Sequence, residues 1–337
     1  MTEPVTIPAV LDVPHRRCTV GDEPMIFHCH HYNTFLQRSI LDAESVDSVP
    51  FLIGAAAEVA HHQIAKVFAS EGIADVAARQ SMAQELYRWA GFGTFDLSAL
   101  GAEGGTIETP SSHYVMGWKA KFGASSDPVC YFASGWLAGA AAAIHDQPLG
   151  SYAVQHPACA AVEGQESCRF EVTQGEANYT VFEPVGVGPL TEHQPRPIPE
   201  SPVDYEGIFG AVSGLPLIGD EQGNIPAFGV YLTRHYANYY NRISFQLERA
   251  LTEQFGEEGR AVAEPLLVEA GHVCAFNTFG GIMTSREWDA LIRPSLKSKE
   301  DWVHGIVAVV NCLGWGRWQV TSVSEEAAEF VIHADYE

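Results

Sequence analysis

The sequence predicts an α+β protein that carries an internal repeat. Ala-rich stretches of helical composition recur along its 337 residues. Between them lie segments whose alternation and β-branched or aromatic content read as antiparallel strands. Short matches also recur, in the same order, on either side of a Pro-rich stretch.

Taken in order, residues 1–24 form an N-terminal extension and 25–184 the first large unit. Within that unit, 51–69 (FLIGAAAEVAHHQIAKVFA) and 77–90 read as helices. GFGTFDLSAL (91–100) and GTIETPSSHYVMGW (105–118) read as strands. YFASGWLAGAAAAIH (131–145) has the small residues of a closely packed, buried helix. The stretch VGVGPLTEHQPRPIPESPVDYEG and its Gly-rich continuation, 185–226, read as a linker. The last unit, 227–337, repeats the beginning of the first, with helices at 239–257 and 261–275 and strands at 314–324 and 325–337.

The repeat rests on three matches. His31-Tyr32 lies on His235-Tyr236 at an offset of 204. Glu58 and His61 lie on Glu269 and His272 at 211. Trp89-Ala90-Gly91-Phe92-Gly93 lies on Cys312-Leu313-Gly314-Trp315-Gly316 at 223. The chain stops before a second copy of the cysteine-rich segment, which leaves room for a homodimer whose partner supplies the missing part.

A formal charge of −23 argues against nucleic acid or an anionic membrane as partner. No unbroken apolar run reaches the ~18–20 residues that span a bilayer. The start, MTEPVTIPAVLDVPHRR, has no basic-then-apolar signal sequence, so a cytoplasmic location is expected. Seven cysteines, an odd number, argue for metal binding or burial over a disulfide framework.

Cys130, His156, Cys159 and Cys168 form a Cys₃His set, the donor count a tetrahedral zinc requires. The residues around it resemble the 4-vinyl reductase domain family, a small-molecule-binding module also found as the sensor domain of phenol- and xylene-responsive transcription activators. The resemblance runs through Pro-Val-Cys130-Tyr, Gly135-Trp-Leu-Ala-Gly139, a ligand-x-x-Cys159 element, Gly164 and Cys168-Arg-Phe170. It covers residues 25–172 and implies a twisted antiparallel sheet covered by helices, of the nitric-oxide-signalling and Golgi-transport ligand-binding type. It also implies a structural zinc on Cys130, Cys159 and Cys168. The family's fourth ligand is a glutamate, whereas His156 stands at that position here.

Each half also offers two histidines and one carboxylate: His31, Glu58 and His61, then His235, Glu269 and His272. On a helix, a Glu-x-x-His pair places both side chains on one face. Such a set holds non-haem Fe(II) with open positions, and two sets could build a dinuclear centre. The competing reading is two solvated helix faces and two packed histidines.

Phosphate-cradle, dinucleotide and nucleophile-elbow motifs are absent. The aromatic runs Tyr231–Tyr240 and Trp315–Trp318 suit either core packing or an apolar pocket for an aromatic ligand. Two functions are therefore expected. One is a metal-dependent oxidoreductase acting on a small organic substrate through iron, with a separate structural zinc. The alternative is a non-catalytic sensor or binding protein for a small aromatic molecule, with zinc as its only metal.

Overall fold

A computed structural model describes residues 5–110, 112–182, 200–324, 326 and 329–335. Its centre is a five-stranded antiparallel sheet in the order β1-β2-β3-β8-β7. The strands are β1 (Ala9–Asp12), β2 (Arg17–Val20), β3 (Glu23–Cys29), β7 (Ile225–Ala227) and β8 (Val230–Tyr236). Both repeats and the expected N-terminal extension thus contribute to one sheet.

The sheet is two hairpins placed back to back, β2-β3 and β7-β8, with β1 added at one edge. Gly21-Asp22 and Phe228-Gly229 link their strands with positive φ at both residues, the two-residue turn whose twist suits flanking strands. Val20 pairs with Glu23 in one hairpin and Ala227 with Val230 in the other. Equivalent positions therefore lie 207 residues apart. At the join, Phe27 faces Arg234, which are themselves repeat mates, so a pseudo-twofold axis runs between them.

Each hairpin leads directly into a helix, α1 (His30–Leu41) or α7 (Ala237–Phe255). A second helix comes next, α2 (Val49–Glu71) or α8 (Glu257–Cys274). Later comes α3 (Val76–Trp89) in the first repeat and α11 (Lys299–Val310) in the second. The glycine segments after these helices close the symmetry. Arg234 donates its amide to the Ala90 carbonyl and Phe27 to that of Leu313, both at 2.8 Å. A Cβ on Gly91 would meet the Leu232 carbonyl oxygen at 2.8 Å, and one on Gly314 would meet that of Met25 at 2.6 Å. Only glycine permits these backbones to lie so close.

This register corrects the first of the three matches. The offset is 207, so the mate of His235 is His28, and that of Tyr239 is Tyr32. His31 lies in the first turn of α1 while His235 lies in β8. Matching His-Tyr letters displaces the alignment by three residues, because turn and ladder geometry set the correspondence.

The first repeat then adds β4 (Gly104–Thr109), α4 (His113–Phe122), α5 (Tyr131–Ile144), β5 (Tyr152–Ala158) and β6 (Cys168–Gln174). The strands form a separate antiparallel sheet, β4-β6-β5. α5 presses on α2 so tightly that a Cβ on Gly135 would lie 1.9 Å from the Ile53 carbonyl oxygen. In place of all this, the described part of the second repeat ends in one hairpin, β9 (Arg317–Ser324) with β10 (Glu329–Asp335).

Several expected elements differ. Residues 91–100 form turns and a 3₁₀ helix at Leu97–Ala99 rather than a strand. The expected strand 105–118 divides at Pro110, which cannot donate to a ladder, and its end is α4. Residues 185–199 of the expected linker lie outside the described residues. Its later part folds: α6 (Tyr205–Ser213) is capped by the Asp204 side chain and buries Tyr205, Ile208 and Val212. No unbroken apolar run spans a bilayer, but one helical stretch is long and apolar enough to do so by length and composition only. Within the 27-residue helical stretch Glu257–Met283, an 18-residue window has a mean hydropathy of 1.2 and is 22% buried. Scattered acids such as Glu264 and Glu269 hide it from a search for unbroken apolar runs. It begins with α8 and includes a π-helix at Ala275–Phe279 and α9 (Gly280–Met283). Lacking a counterpart of α5, α8 leaves Val262 and Val268 half exposed.

Candidate functional site

The β5–β6 hairpin and the start of α5 gather the four predicted zinc ligands. Cys130 is the N-cap of α5, His156 lies near the end of β5, Cys159 comes just after that strand and Cys168 begins β6. A register irregularity between Gln155 and Ala158 accompanies the change of course. The four donor atoms lie within 4.8 Å of one another, and this is the only such group among the described residues. Cys130 Sγ is 4.0 Å from Cys159 Sγ and 3.7 Å from Cys168 Sγ.

Both ring nitrogens of His156 are buried without a partner, while the ring stacks on Phe170 at 4.2 Å. Hydrogen bonds from Cys130 and Cys168 hold the Cys159 thiol far below its ordinary range, and bonding within the cluster together with burial raises Cys130. Three sulfurs sharing negative charge beside an orphaned imidazole suit a cation. Tetrahedral zinc with bonds of about 2.3 Å to sulfur places its sulfurs about 3.8 Å apart. The cluster could therefore hold a metal ion.

The His/Glu residues are not gathered in this way. Both oxygens of Glu58 accept from Arg242, at 2.5 and 2.7 Å. His61 Nε2 lies 3.2 Å from the Gln147 carbonyl oxygen, and burial lowers its pKa. His31 packs on the His30 ring at 3.9 Å, and burial lowers its pKa too. His235 is enclosed in the core. Glu269 and His272 stand on the open side of α8, with side chains 62% and 73% exposed. The predicted iron set is thus divided between an ion pair, the core and the surface. The reason is tertiary: α2 is sandwiched between α5 and α7, whereas α8 lacks the first of these neighbours.

His28, which the sequence offers only as an extra candidate ligand beside His31, stands at the other pole of the symmetry. Its mate His235 is sealed by Phe132 of α5, 4.6 Å away, and by the Tyr114 hydroxyl of α4, 3.0 Å from Nε2. Its Nδ1 accepts the Tyr236 amide. Around His28 the same frame recurs: Tyr32 stacks at 4.2 Å and Trp315 tilts at 4.7 Å, matching Tyr239 at 4.9 Å and Phe92 at 5.0 Å around His235. Nothing corresponding to α4 or α5 covers it among the described residues. A cavity of about 320 Å³ opens there, walled by Ile26, His28, Tyr32, Tyr240, Trp315 and Trp318. The two aromatic runs singled out in the sequence meet in this wall.

Burial holds the His28 imidazole down to about 3, so the ring is neutral at ordinary pH. Its Nδ1 lies 3.8 Å from Cys274 Sγ. A corrected repeat register would have found this residue in the sequence.

A larger cavity, of about 620 Å³, lies between α2 and α7 and includes Glu23, Glu58, His61 and Arg242 in its wall. Asn241 of α7 borders both cavities.

No family model matches the chain, and no curated protein matches it in sequence. Among solved structures it is similar to the phenol-responsive sensory domain of the transcription activator PoxR, crystallised with phenol. The TM-score is 0.40 and the identity 15%, over 49% of this chain and 86% of that one. So loose a likeness leaves the family open.

Proposed function

We propose that the protein binds a small aromatic molecule in the His28 cavity and carries a zinc ion at Cys130, His156, Cys159 and Cys168. The observation that carries this reading is the uncovered aromatic frame around His28, beside an equivalent frame that the first repeat fills with its own side chains. A planar ring takes the place that Phe132 occupies over His235. A hydroxyl on that ring meets His28 Nε2 as the Tyr114 hydroxyl meets His235. Trp315 and Tyr32 supply stacking and edge contacts worth about 0.5–1.5 kcal/mol each beyond area burial.

Zinc in a site with four protein ligands has no open position for water and acts structurally. It ties α5, which seals the first repeat, to the β5–β6 hairpin. This is the role implied by the 4-vinyl reductase resemblance, with His156 as the fourth donor. Iron and oxidative chemistry gain no support from the dispersed His/Glu residues.

Titration of the full chain with phenol, followed by tryptophan fluorescence, tests the ligand half of the reading. Saturable quenching is expected, weakened about tenfold, or about 1.4 kcal/mol, by His28→Ala. Phenol binding that His28→Ala leaves unchanged would sink it. Elemental analysis tests the metal half: one zinc per chain is expected, lost on Cys159→Ala, and iron in its place refutes it.

A further inference from the structure

We propose that the larger cavity, between α2 and α7, is a second binding site, specific for a small amphipathic amine. The ammonium would sit at Glu23 and the apolar body against Val59, Leu149 and Phe245. The site is separate from the His28 cavity and does not depend on what binds there.

Glu23 begins β3 and is almost fully buried. Its oxygens accept the Asn238 amide at 3.2 Å and the Asn238 side-chain nitrogen at 2.9 Å, but no cation pairs with it among the described residues. Burying a carboxylate without a counter-ion is costly. The fold does not require one, because the repeat mate of Glu23, at the same position after the turn, is Val230. A charge kept at this cost, in the wall of a cavity within the size range of ligand pockets, is placed for something that enters.

The neighbouring charges specify what enters. Glu58, His61 and His62 face the cavity from α2, and Arg242 faces it from α7. Tyr236 lies behind on β8, and Asp22, next in the chain, pairs with Lys66. Arg242 is fully engaged by both oxygens of Glu58 and stacks on Phe182 at 4.6 Å. Partial burial lowers the pKa of half-buried His61 and so disfavours its charged form. With its cation already matched, the wall has an unmatched acid, which repels an anionic ligand and attracts a cationic one. Burial, opposed by Asn238 and helped by Glu58, raises Glu23 to about 7, so an arriving ammonium also displaces a proton.

Isothermal titration of the full, metal-loaded chain above neutral pH compares n-octylamine, octan-1-ol and octanoate. The amine is expected to bind about tenfold or more tightly than the alcohol, and octanoate not at all. Glu23→Gln, which keeps hydrogen-bonding capacity toward Asn238, should weaken the amine about tenfold. Glu58→Gln, which frees Arg242, should let octanoate bind. Octan-1-ol binding as tightly as the amine, no heat with the amine, or a Glu23→Gln change within about twofold would overturn the proposal.

Discussion

On one side of the pseudo-twofold axis, Tyr114 and Phe132 close over His235; on the other, nothing described corresponds to α4 or α5, and a cavity stands beside the buried His28. The strands, the turns, the glycine contacts and the centroid distances of the rings around the two histidines correspond, although Phe92 meets His235 edge-on and Trp315 lies tilted on His28. The difference lies downstream of each copy: the first continues into α4, α5 and the cysteine hairpin, the second into β9 and β10. A frame that is plain core when complete becomes a pocket when its cover is missing. The same omission strips α8, whose apolar side faces outward where α2 is buried.

The largest test of this contrast is removal of the metal. Zinc binding supplies about 10–16 kcal/mol in small zinc-dependent domains. Chelation, or Cys159→Ala, should lower the melting temperature and speed amide exchange in β5 and β6 while leaving β9 and β10 unchanged. Equal loosening of both hairpins would break the proposed asymmetry.

Next in size is Phe132→Ala, which removes the cover from His235. A cost of about 3–5 kcal/mol is expected for so buried a ring. If the two frames are equivalent, the variant also gains a second phenol site, read as a stoichiometry rising from one to two.

Glu23 and Val230 offer a third comparison. Burial raises Glu23 from 4.5 to about 7, so between those values the folded chain binds more protons than the unfolded one. Stability is therefore full below about pH 4.5 and falls as pH rises toward 7, by about 3 kcal/mol. Denaturant titrations across that window should show the fall in the native chain and a flatter profile in Glu23→Gln. The smallest effect is expected of Trp315→Phe, which copies its mate Phe92. Phenol affinity should drop by only a few-fold, because a ring still lies against His28.

Much of the design is readable without coordinates. The α+β class, most of the long helices, the last strands and the cysteine set follow from composition, period and spacing, which are local properties of the chain. The aromatic runs at Tyr231–Tyr240 and Trp315–Trp318 also mark a candidate pocket. Residues 105–118 mislead because Tyr114, Val115 and Trp118 sit plausibly on a strand pattern, yet are buried on the helix α4. The Glu-x-x-His pairs lie on corresponding helices, α2 and α8, without being gathered into a site.

By itself the sequence determined that short segments recur in order on either side of the Pro-rich stretch, and which four residues could hold a metal. Only the tertiary structure decided the repeat register, since the offset of 207 depends on turn conformation and on the Phe27–Arg234 pairing. It also decided that Glu58 belongs to Arg242, 184 residues away, and that His28 borders a cavity while His235 is sealed in the core. The physical reason is that propensity and periodicity act within an element. What a side chain meets is set instead by the packing of distant elements, and a missing one leaves no mark beside the residue it exposes.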